Sequence, residues 1–290
     1  MLRARTACRA SPFRHFCARW RGAPPSASTP RVTAVTAVRS RFPRAFQGRR
    51  LVGALLFGAS ALVPVLLVPS EADGGRGPCP ANMARVDTGP KPFCIDRWEG
   101  SLVSIASGRH VTHSPFEQVK GDKVMAVSRP GVVPQAHISR NDAEAACHAA
   151  KKRLCTEEEW VRACQGRVPT TFPYGNDRHD GYCNDQGRAP LSVVFPNDAT
   201  VFQSSDKMND PRLNQVPGSV ALTGSHSHCK NGFGLFDMVG NLHEWVADPA
   251  GTFRGGYYLD TKKNGDGCKY RTDAHDASYR DYSTGFRCCF

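Results

Sequence analysis

The N-terminal quarter of the sequence lacks acidic side chains. Residues 1–50 contain 12 arginines and no Asp, Glu or Lys, and residues 51–70 contain no charge of either sign. The formal net charge of +12 therefore comes from the first fifty residues, because the 26 remaining basic side chains equal the 26 acidic ones. A neutral body has no electrostatic footprint for nucleic acid. The sequence predicts a protein with no nucleic-acid partner.

The uncharged run at residues 51–70 predicts export. It begins LVGALLFGASALVPVLLV directly after two arginines, as expected for the h-region of a signal peptide. Val68 and Ser70 are small residues at the −3 and −1 positions of a cleavage site, so Glu71 would begin the mature chain. The same run is long enough to remain as a membrane anchor. A twin-arginine signal or a mitochondrial transit peptide would be alternative leads.

These features divide the chain into an Arg-rich lead at 1–50, the apolar segment at 51–70, a Gly- and Pro-rich linker at 71–82 and a domain at 83–290. Apart from the apolar segment, nothing predicts membrane contact. The predicted location is exported: periplasmic, extracellular or in a secretory lumen.

Zinc-like cysteine spacing is absent, although ten cysteines follow the apolar run. No CxxC pair has a second pair or histidines as partners, which argues against a zinc ribbon. An even number of cysteines in an exported chain predicts five disulfides. Free thiols or thiolate ligands are the alternative, and spacing alone does not give the pairing. The ten residues are Cys79, Cys94, Cys147, Cys155, Cys164, Cys183, Cys229, Cys268, Cys288 and Cys289.

Long regular elements are scarce as well. Ser139 and Thr156 each precede a short helical pattern that they can cap, and residues 83–103 indicate a β-hairpin that Cys79 and Cys94 could join. Residues 165–235 are rich in Gly, Pro, Asn and Asp, and so long an irregular stretch needs disulfides or bound ions to fix it. Repeats, heptads, GxGxxG, Walker and GxSxG motifs are absent. The pattern predicts an α+β domain.

Four segments in order resemble the formylglycine-generating (sulfatase-modifying factor) family. They are FCIDRWEGSLV at 93–103, KRLCTEEEWVRAC at 152–164, NGFGLFDMVGNLHEWVAD at 231–248, and RGG at 254–256 with GFRCC at 285–289. The resemblance covers about residues 80–290. It implies the family's C-type-lectin-like fold: a small twisted sheet, two helices and long loops stabilised by calcium.

The resemblance implies a calcium site in the segment VGNLHE. Its ligands would be the carbonyl oxygens of Val239, Gly240 and Leu242 and the carboxylate of Glu244, which are oxygen donors of the kind that Ca²⁺ prefers. His243 stands where the family often has Trp. The other reading of Glu244 is a solvated or helix-capping acid. A second family calcium site would draw on Asn184 and Asp210.

The chemistry of the family depends on a motif that this chain lacks. The family enzyme oxidises a cysteine of client sulfatases to formylglycine with O₂ and a copper ion held by two cysteines, and soft thiolates select Cu(I). Here Tyr257 stands at the family serine and Asp260 at the first active cysteine. Depending on the gap, Cys268 matches the second active cysteine, lies next to it or replaces a structural one. A carboxylate and one thiolate make a poor Cu(I) site. We therefore expect neither copper nor formylglycine generation.

Two disulfide pairings follow from the resemblance, Cys164 with Cys268 and Cys147 with Cys288. The catalytic candidates that remain are Cys268 as a free thiol, Asp260, and His275 in the cluster of Asp273, His275 and Asp276. His and carboxylate side chains can bind metals or transfer protons, but such a cluster is more often a solvated loop. Arg254 and Arg287 are predicted to be structural ion-pair partners.

The sequence therefore favours an exported, calcium-stabilised binding or structural domain that does not generate formylglycine, with an exported protein or glycan as partner. Whether the chain is an enzyme stays open. The alternative is a metal-dependent oxidoreductase that acts on an exported protein or small molecule, with Cys268 free rather than bridged. A glycan-binding role has only the lectin-like fold in its favour, and fold does not imply function.

Overall fold

The computed structural model describes residues 78–106, 108 and 110–290. The predictions for the Arg-rich lead, the apolar segment and most of the linker lie outside these residues. Within the described residues no helix has the length and apolar character needed to cross a bilayer. The strands are β1 Met83–Val86, β2 Phe93–Asp96, β3 Gly100–Ser104, β4 Val111–Thr112, β5 Val124–Ser128, β6 Arg153–Leu154, β7 His243–Trp245, β8 Phe253–Arg254, β9 Arg271–Thr272, β10 Thr284–Phe286 and β11 Cys288–Cys289.

The helices are α1 Arg140–Ala149, α2 Glu157–Gln165, α3 Pro190–Val194 and α4 Ser205–Met208. Both predicted caps are confirmed: the Ser139 hydroxyl accepts from the Asp142 N–H, and Thr156 and Glu159 form a reciprocal capping box. Such local pairs satisfy backbone donors that a helix N-terminus leaves free. The first turn of α2 is also acidic, which favours the positive end of the helix dipole.

The strands form three small sheets. Their orders are β1-β2-β11-β6, β10-β7-β8-β9 and β4-β3-β5. The predicted hairpin is confirmed, because β1 pairs antiparallel with β2 from Met83 opposite Asp96 to Val86 opposite Phe93. The C-terminal strand β11 lies between β2 and β6, and β10 pairs in parallel with β7. The C-terminal segment therefore connects two sheets.

The core divides into three clusters of buried side chains. One contains Trp160 of α2 with Leu235 and Met238 of the loop before β7, and a second packs α1 against β3 and β5 through Ala143 and Leu102. The third lies under the irregular segment and contains Leu213, Tyr258 and Tyr282. As predicted, residues 165–235 have only short helices.

Five disulfides connect the described cysteines: Cys79–Cys94, Cys147–Cys288, Cys155–Cys289, Cys164–Cys268 and Cys183–Cys229. Four of them join residues 46 to 141 positions apart, so they close long loops around the small sheets. A chain with so little regular structure depends on such closures. Five bridges are typical of an exported protein.

Candidate functional site

A fully buried ion pair lies at the centre of the domain. The Arg287 Nε and Nη2 each donate to one oxygen of Glu244 at 2.6 Å, and Trp160 Nε1 adds a donor at 2.7 Å to Oε2. Arg287 also donates to the carbonyl oxygens of Asp96 and Phe236. This bidentate geometry joins the C-terminal segment to β7, β2 and α2. The structural role predicted for Arg287 is confirmed.

Two further buried carboxylates adjoin this ion pair. Glu99 accepts from the Asn241 amide at 2.6 Å and from the Leu242 N–H at 3.2 Å, while Asp237 accepts from the Gly224 N–H at 2.6 Å. Burial raises the pKa of Asp237 to about 7, and burial together with the neighbouring carboxylates raises the pKa of Glu99. Three buried carboxylates thus adjoin one guanidinium, and the excess negative charge needs protons or a cation.

The predicted calcium ligands border this carboxylate cluster. Gly240 has φ +79°, and a side chain there would meet the carbonyl oxygen of Asn184 at 2.3 Å, so the turn requires glycine. Arg287 and Trp160 make three hydrogen bonds to Glu244, which leaves it one of a carboxylate's four lone-pair positions. Glu244 therefore keeps one position for a Ca²⁺ ion as a single-oxygen ligand, and the excess negative charge would attract such an ion, so the site stays a prediction.

The second predicted calcium pair, Asn184 and Asp210, has separate partners. The Asn184 amide donates to the Ser219 carbonyl and to Asn241, whereas Asp210 accepts from Arg212 at 2.6 Å. Across residues 78–106, 108 and 110–290, no three or more His, Cys, Asp or Glu side chains form a group that could hold a metal. Neither observation supports a second site at these two residues.

The catalytic candidate Cys268 is bridged to Cys164 and fully buried. The other pairing that the resemblance implies, Cys147 with Cys288, is also present, and the adjacent Cys288 and Cys289 form separate bridges. Every cysteine in the described part of the chain is oxidised, so no thiolate there is available to Cu(I). The residues present do not fit the family's copper site.

Asp260 ends a tight turn that begins at Tyr257, and the two residues exchange backbone hydrogen bonds at 3.0 Å. Its Oδ1 accepts from the N–H groups of Lys262 and Lys263, and its Oδ2 accepts from the Tyr270 hydroxyl at 3.1 Å. No Lys, Arg or His of the described residues forms an ion pair with it. Asp260 is a half-buried carboxylate without a cationic partner.

An aromatic cluster surrounds His243, a buried residue of β7. Its ring centroid lies 4.6 Å from Phe253, 4.8 Å from Tyr257 and 5.5 Å from Tyr270. Burial lowers the pKa of His243 to about 3, which keeps the imidazole neutral. Its Nδ1 is buried and has no hydrogen-bond partner, and such an unpaired atom costs about 1–3 kcal/mol unless a bound group satisfies it.

The three residues of the predicted cluster, Asp273, His275 and Asp276, have different partners in the structure. The His275 ring stacks on Phe253 at 4.9 Å and contacts Tyr279 at 4.4 Å, so it extends the aromatic cluster. Asp273 pairs with Arg271, and Asp276 accepts from Ser278. Asp273 and Asp276 are exposed, as the solvated-loop interpretation of this segment expects.

Sequence reasoning missed three residues of the two sites. Glu99 and Asp237 both lie in the quoted family segments. Only the fold brings Glu99 next to the predicted calcium ligands, because its hydrogen-bond partner Asn241 lies 142 positions away in the sequence. His243 was noted only as a departure from the family pattern. The structure places that departure next to two others, Tyr257 and Asp260, and burial of a polar ring at an apolar position could have indicated a changed site.

The family model described as "Sulfatase-modifying factor enzyme 1-like domain" matches residues 91–290. The chain belongs to this family. Membership confirms the predicted fold class, an α+β, C-type-lectin-like, disulfide-rich fold with little regular secondary structure. Family membership alone does not assign an activity.

Curated relatives include active and inactive proteins. The chain is 33% identical over 116 residues to mouse formylglycine-generating enzyme, covering 40% of this chain and 27% of that protein. It is 30% identical over 168 residues to mouse inactive C-alpha-formylglycine-generating enzyme 2, covering 54% and 48%. The chain thus spans about a quarter to a half of the length of these relatives.

Among solved structures, PvdO from Pseudomonas aeruginosa aligns with a TM-score of 0.42 and 18% identity, covering 70% of this chain and 84% of that one. CarF aligns with a TM-score of 0.40 and 15% identity, covering 69% and 86%.

Proposed function

We propose that this protein is an exported member of the sulfatase-modifying factor family that binds an exported protein or glycan and does not generate formylglycine. The observation that carries the proposal is the absence of two free cysteines at the position where the family holds copper, among the described residues. Asp260 replaces one metal-binding cysteine, and Cys268 is consumed in the bridge to Cys164. The existence of relatives named as inactive members, in mouse and in Bos taurus, supports the same reading.

A turnover assay tests this proposal. The full chain is incubated with Cu(I), O₂, a reductant and a cysteine-containing sulfatase peptide, and the peptide is analysed by mass spectrometry. Mouse formylglycine-generating enzyme is the positive control. We expect no aldehyde above the protein-free background, because no thiolate pair holds copper. Conversion of cysteine to formylglycine at a rate near that of the control would overturn the proposal.

Calcium forms part of the proposal as a stabiliser of the loop from Asp237 to Glu244. The supporting observations are the excess carboxylates, Glu99 and Asp237, beside the Glu244–Arg287 pair, and the glycine-dependent turn at Gly240. The bound ion would supply positive charge to this cluster and fix the turn. We expect calcium, but not magnesium at equal concentration, to raise the melting temperature of the chelator-treated protein. An unchanged melting temperature would remove calcium from the account.

The proposed location is an oxidising compartment outside the cytoplasm, reached by means of residues 51–70 as a signal peptide or an anchor. The five bridges support this location. The alternative function, a metal-dependent oxidoreductase, requires Cys268 as a free thiol. Its bridge to Cys164 and complete burial count against that alternative.

A further inference from the structure

Three positions at which the chain departs from the family pattern lie together in space. His243 stands where the family often has Trp, Tyr257 at the family serine and Asp260 at the first active cysteine. The His243 and Tyr257 rings are 4.8 Å apart, and Asp260 is close enough to shift the pKa of both side chains. The changes have replaced a soft sulfur ligand by a carboxylate among aromatic rings. Their grouping indicates a remodelled site.

The two carboxylates of the remodelled site have only neutral hydrogen-bond donors: Asp260 accepts from two backbone N–H groups and the Tyr270 hydroxyl, and Asp281 accepts from the N–H and hydroxyl of Ser283 and from the Tyr279 hydroxyl. Asp260 and Asp281 flank Tyr257, and burial together with these two acids raises the pKa of the Tyr257 hydroxyl. The Tyr279 hydroxyl donates to Asp281 at 2.6 Å, as the Tyr270 hydroxyl does to Asp260. These two phenols have thus used their protons on the carboxylates, and the Tyr270 oxygen also accepts from the Asn264 amide at 3.5 Å.

Positive charge is missing from this position. Within the described part of the chain, neither Asp260 nor Asp281 has a cationic side chain within ion-pair distance. Lys262 and Lys263 follow Asp260 in sequence, but only their backbone N–H groups reach it. Carboxylates attract cations, and the faces of tyrosine rings add a further attraction.

The donor set also decides which kind of cation fits. No three His, Cys, Asp or Glu side chains of the described residues form a group that could hold a metal ion, and a bare metal ion brings no hydrogen-bond donors of its own. An ammonium or guanidinium group brings its own N–H donors. It can bond the one lone-pair position of Asp260 that has no donor while it packs on the half-buried Tyr257 ring.

We propose that the remodelled site, formed by His243, Tyr257, Asp260, Tyr270 and Asp281, binds the lysine or arginine side chain of an exported polypeptide. This inference rests on the proposed function, because it assigns a ligand to the position that has lost its oxidation chemistry. It specifies the partner of the proposed function, an exported protein or glycan, as a basic peptide.

Titration calorimetry of the full chain tests the inference with short peptides that carry one central lysine, arginine or glutamine. We expect the basic peptides to bind at least tenfold more tightly than the glutamine peptide, and less tightly as salt increases. Asp260→Asn keeps the acceptor for the backbone N–H groups and should lower affinity about tenfold. Asp266→Asn removes the same charge from an exposed residue of the same segment and should leave affinity unchanged.

Any one of the following results would overturn the inference: equal binding of the glutamine peptide, equal loss of affinity with both Asn variants, or displacement of the peptide by calcium through Asp260. Tighter binding of putrescine than of any peptide would move the ligand from a polypeptide to a free amine and also contradict it. Melting temperatures of both variants establish that they fold. Absent peptide binding together with absent formylglycine formation would reject this inference alone, whereas aldehyde formation would reject the proposed function.

Discussion

The ion pair at Arg287 and the surroundings of Tyr257 differ in how completely their charges are paired. Around Arg287 a bidentate ion pair is fully buried and hydrogen-bonded on every side, in residues that match the family segments. Around Tyr257 two carboxylates lack cations and a buried imidazole nitrogen lacks a partner. The difference teaches that the paired charges lie in segments that this chain shares with the family, whereas the unpaired charges lie where it departs from the family pattern.

The largest expected effect comes from removing the bridge that now holds Cys268. Cys164→Ser with Cys268→Ser opens a connection between residues 104 positions apart. In the chain-entropy model this lowers the free energy of unfolding by about 4–5 kcal/mol. Denaturant unfolding measures the loss. A stability loss below about 1 kcal/mol would contradict the structural role and return Cys268 to the list of catalytic candidates.

Breaking the central ion pair should cost nearly as much. Arg287→Met leaves Glu244 buried without its counter-charge, and breaking a buried pair in this way costs about 3–5 kcal/mol. The matched control is Arg167→Met, which removes an exposed partner of Asp87 that also lies 4.9 Å from the Phe233 ring centroid and should change the free energy of unfolding by less than about 1 kcal/mol. Equal effects of the two substitutions would mean that the central pair adds nothing beyond a surface contact.

The acid side of the stability curve should reflect the buried histidines. Burial lowers the pKa of His137 to about 4, so only the unfolded chain takes up this proton as the pH falls from about 6.5. Stability is therefore lost between pH 6.5 and 4, by about 2 kcal/mol at pH 5. His137→Asn, which tolerates the local φ of 54°, should remove this contribution. An unchanged pH dependence of unfolding in the variant would show that the pKa of His137 is the same in the folded and unfolded protein.

The smallest expected effect concerns the family cysteine itself. Asp260→Cys restores the residue type of the motif but leaves Cys268 bridged, so we expect neither stoichiometric Cu(I) binding nor formylglycine formation. Asp260 is half-buried and forms no ion pair, but Cys cannot replace its three accepted hydrogen bonds, so stability should fall by about 1 kcal/mol. Copper binding is measured by competition with a Cu(I) chelator, and a tight one-to-one complex would mean that the bridge opens readily.

The sequence predicted the parts of the molecule that depend on neighbours along the chain. The caps at Ser139 and Thr156 and the hairpin of β1 and β2 need only local contacts. Family segments supplied the pairing of Cys164 with Cys268, which spacing alone leaves open.

The carboxylate cluster was out of reach because Glu99 and Asn241 lie 142 positions apart and meet only through the packing of the sheets. The remodelled site could not be predicted from the sequence for the same reason. His243, Tyr257 and Asp260 are separate departures in the sequence, and ring contacts that depend on β7 and the following turn bring them together. Asn184 and Asp210 were matched across irregular loops, where insertions shift the register without a periodic pattern to correct it.

Mapping of the thiols in the native protein tests the central claim most directly. The full chain is alkylated without reduction, digested and analysed by mass spectrometry, and Cu(I) binding is measured on the same preparation. The account predicts that Cys268 is recovered joined to Cys164, that it is not alkylated, and that copper does not bind stoichiometrically. An alkylated Cys268 in a protein that binds one Cu(I) ion would contradict it, because the catalytic position would then retain the thiolate chemistry of the family.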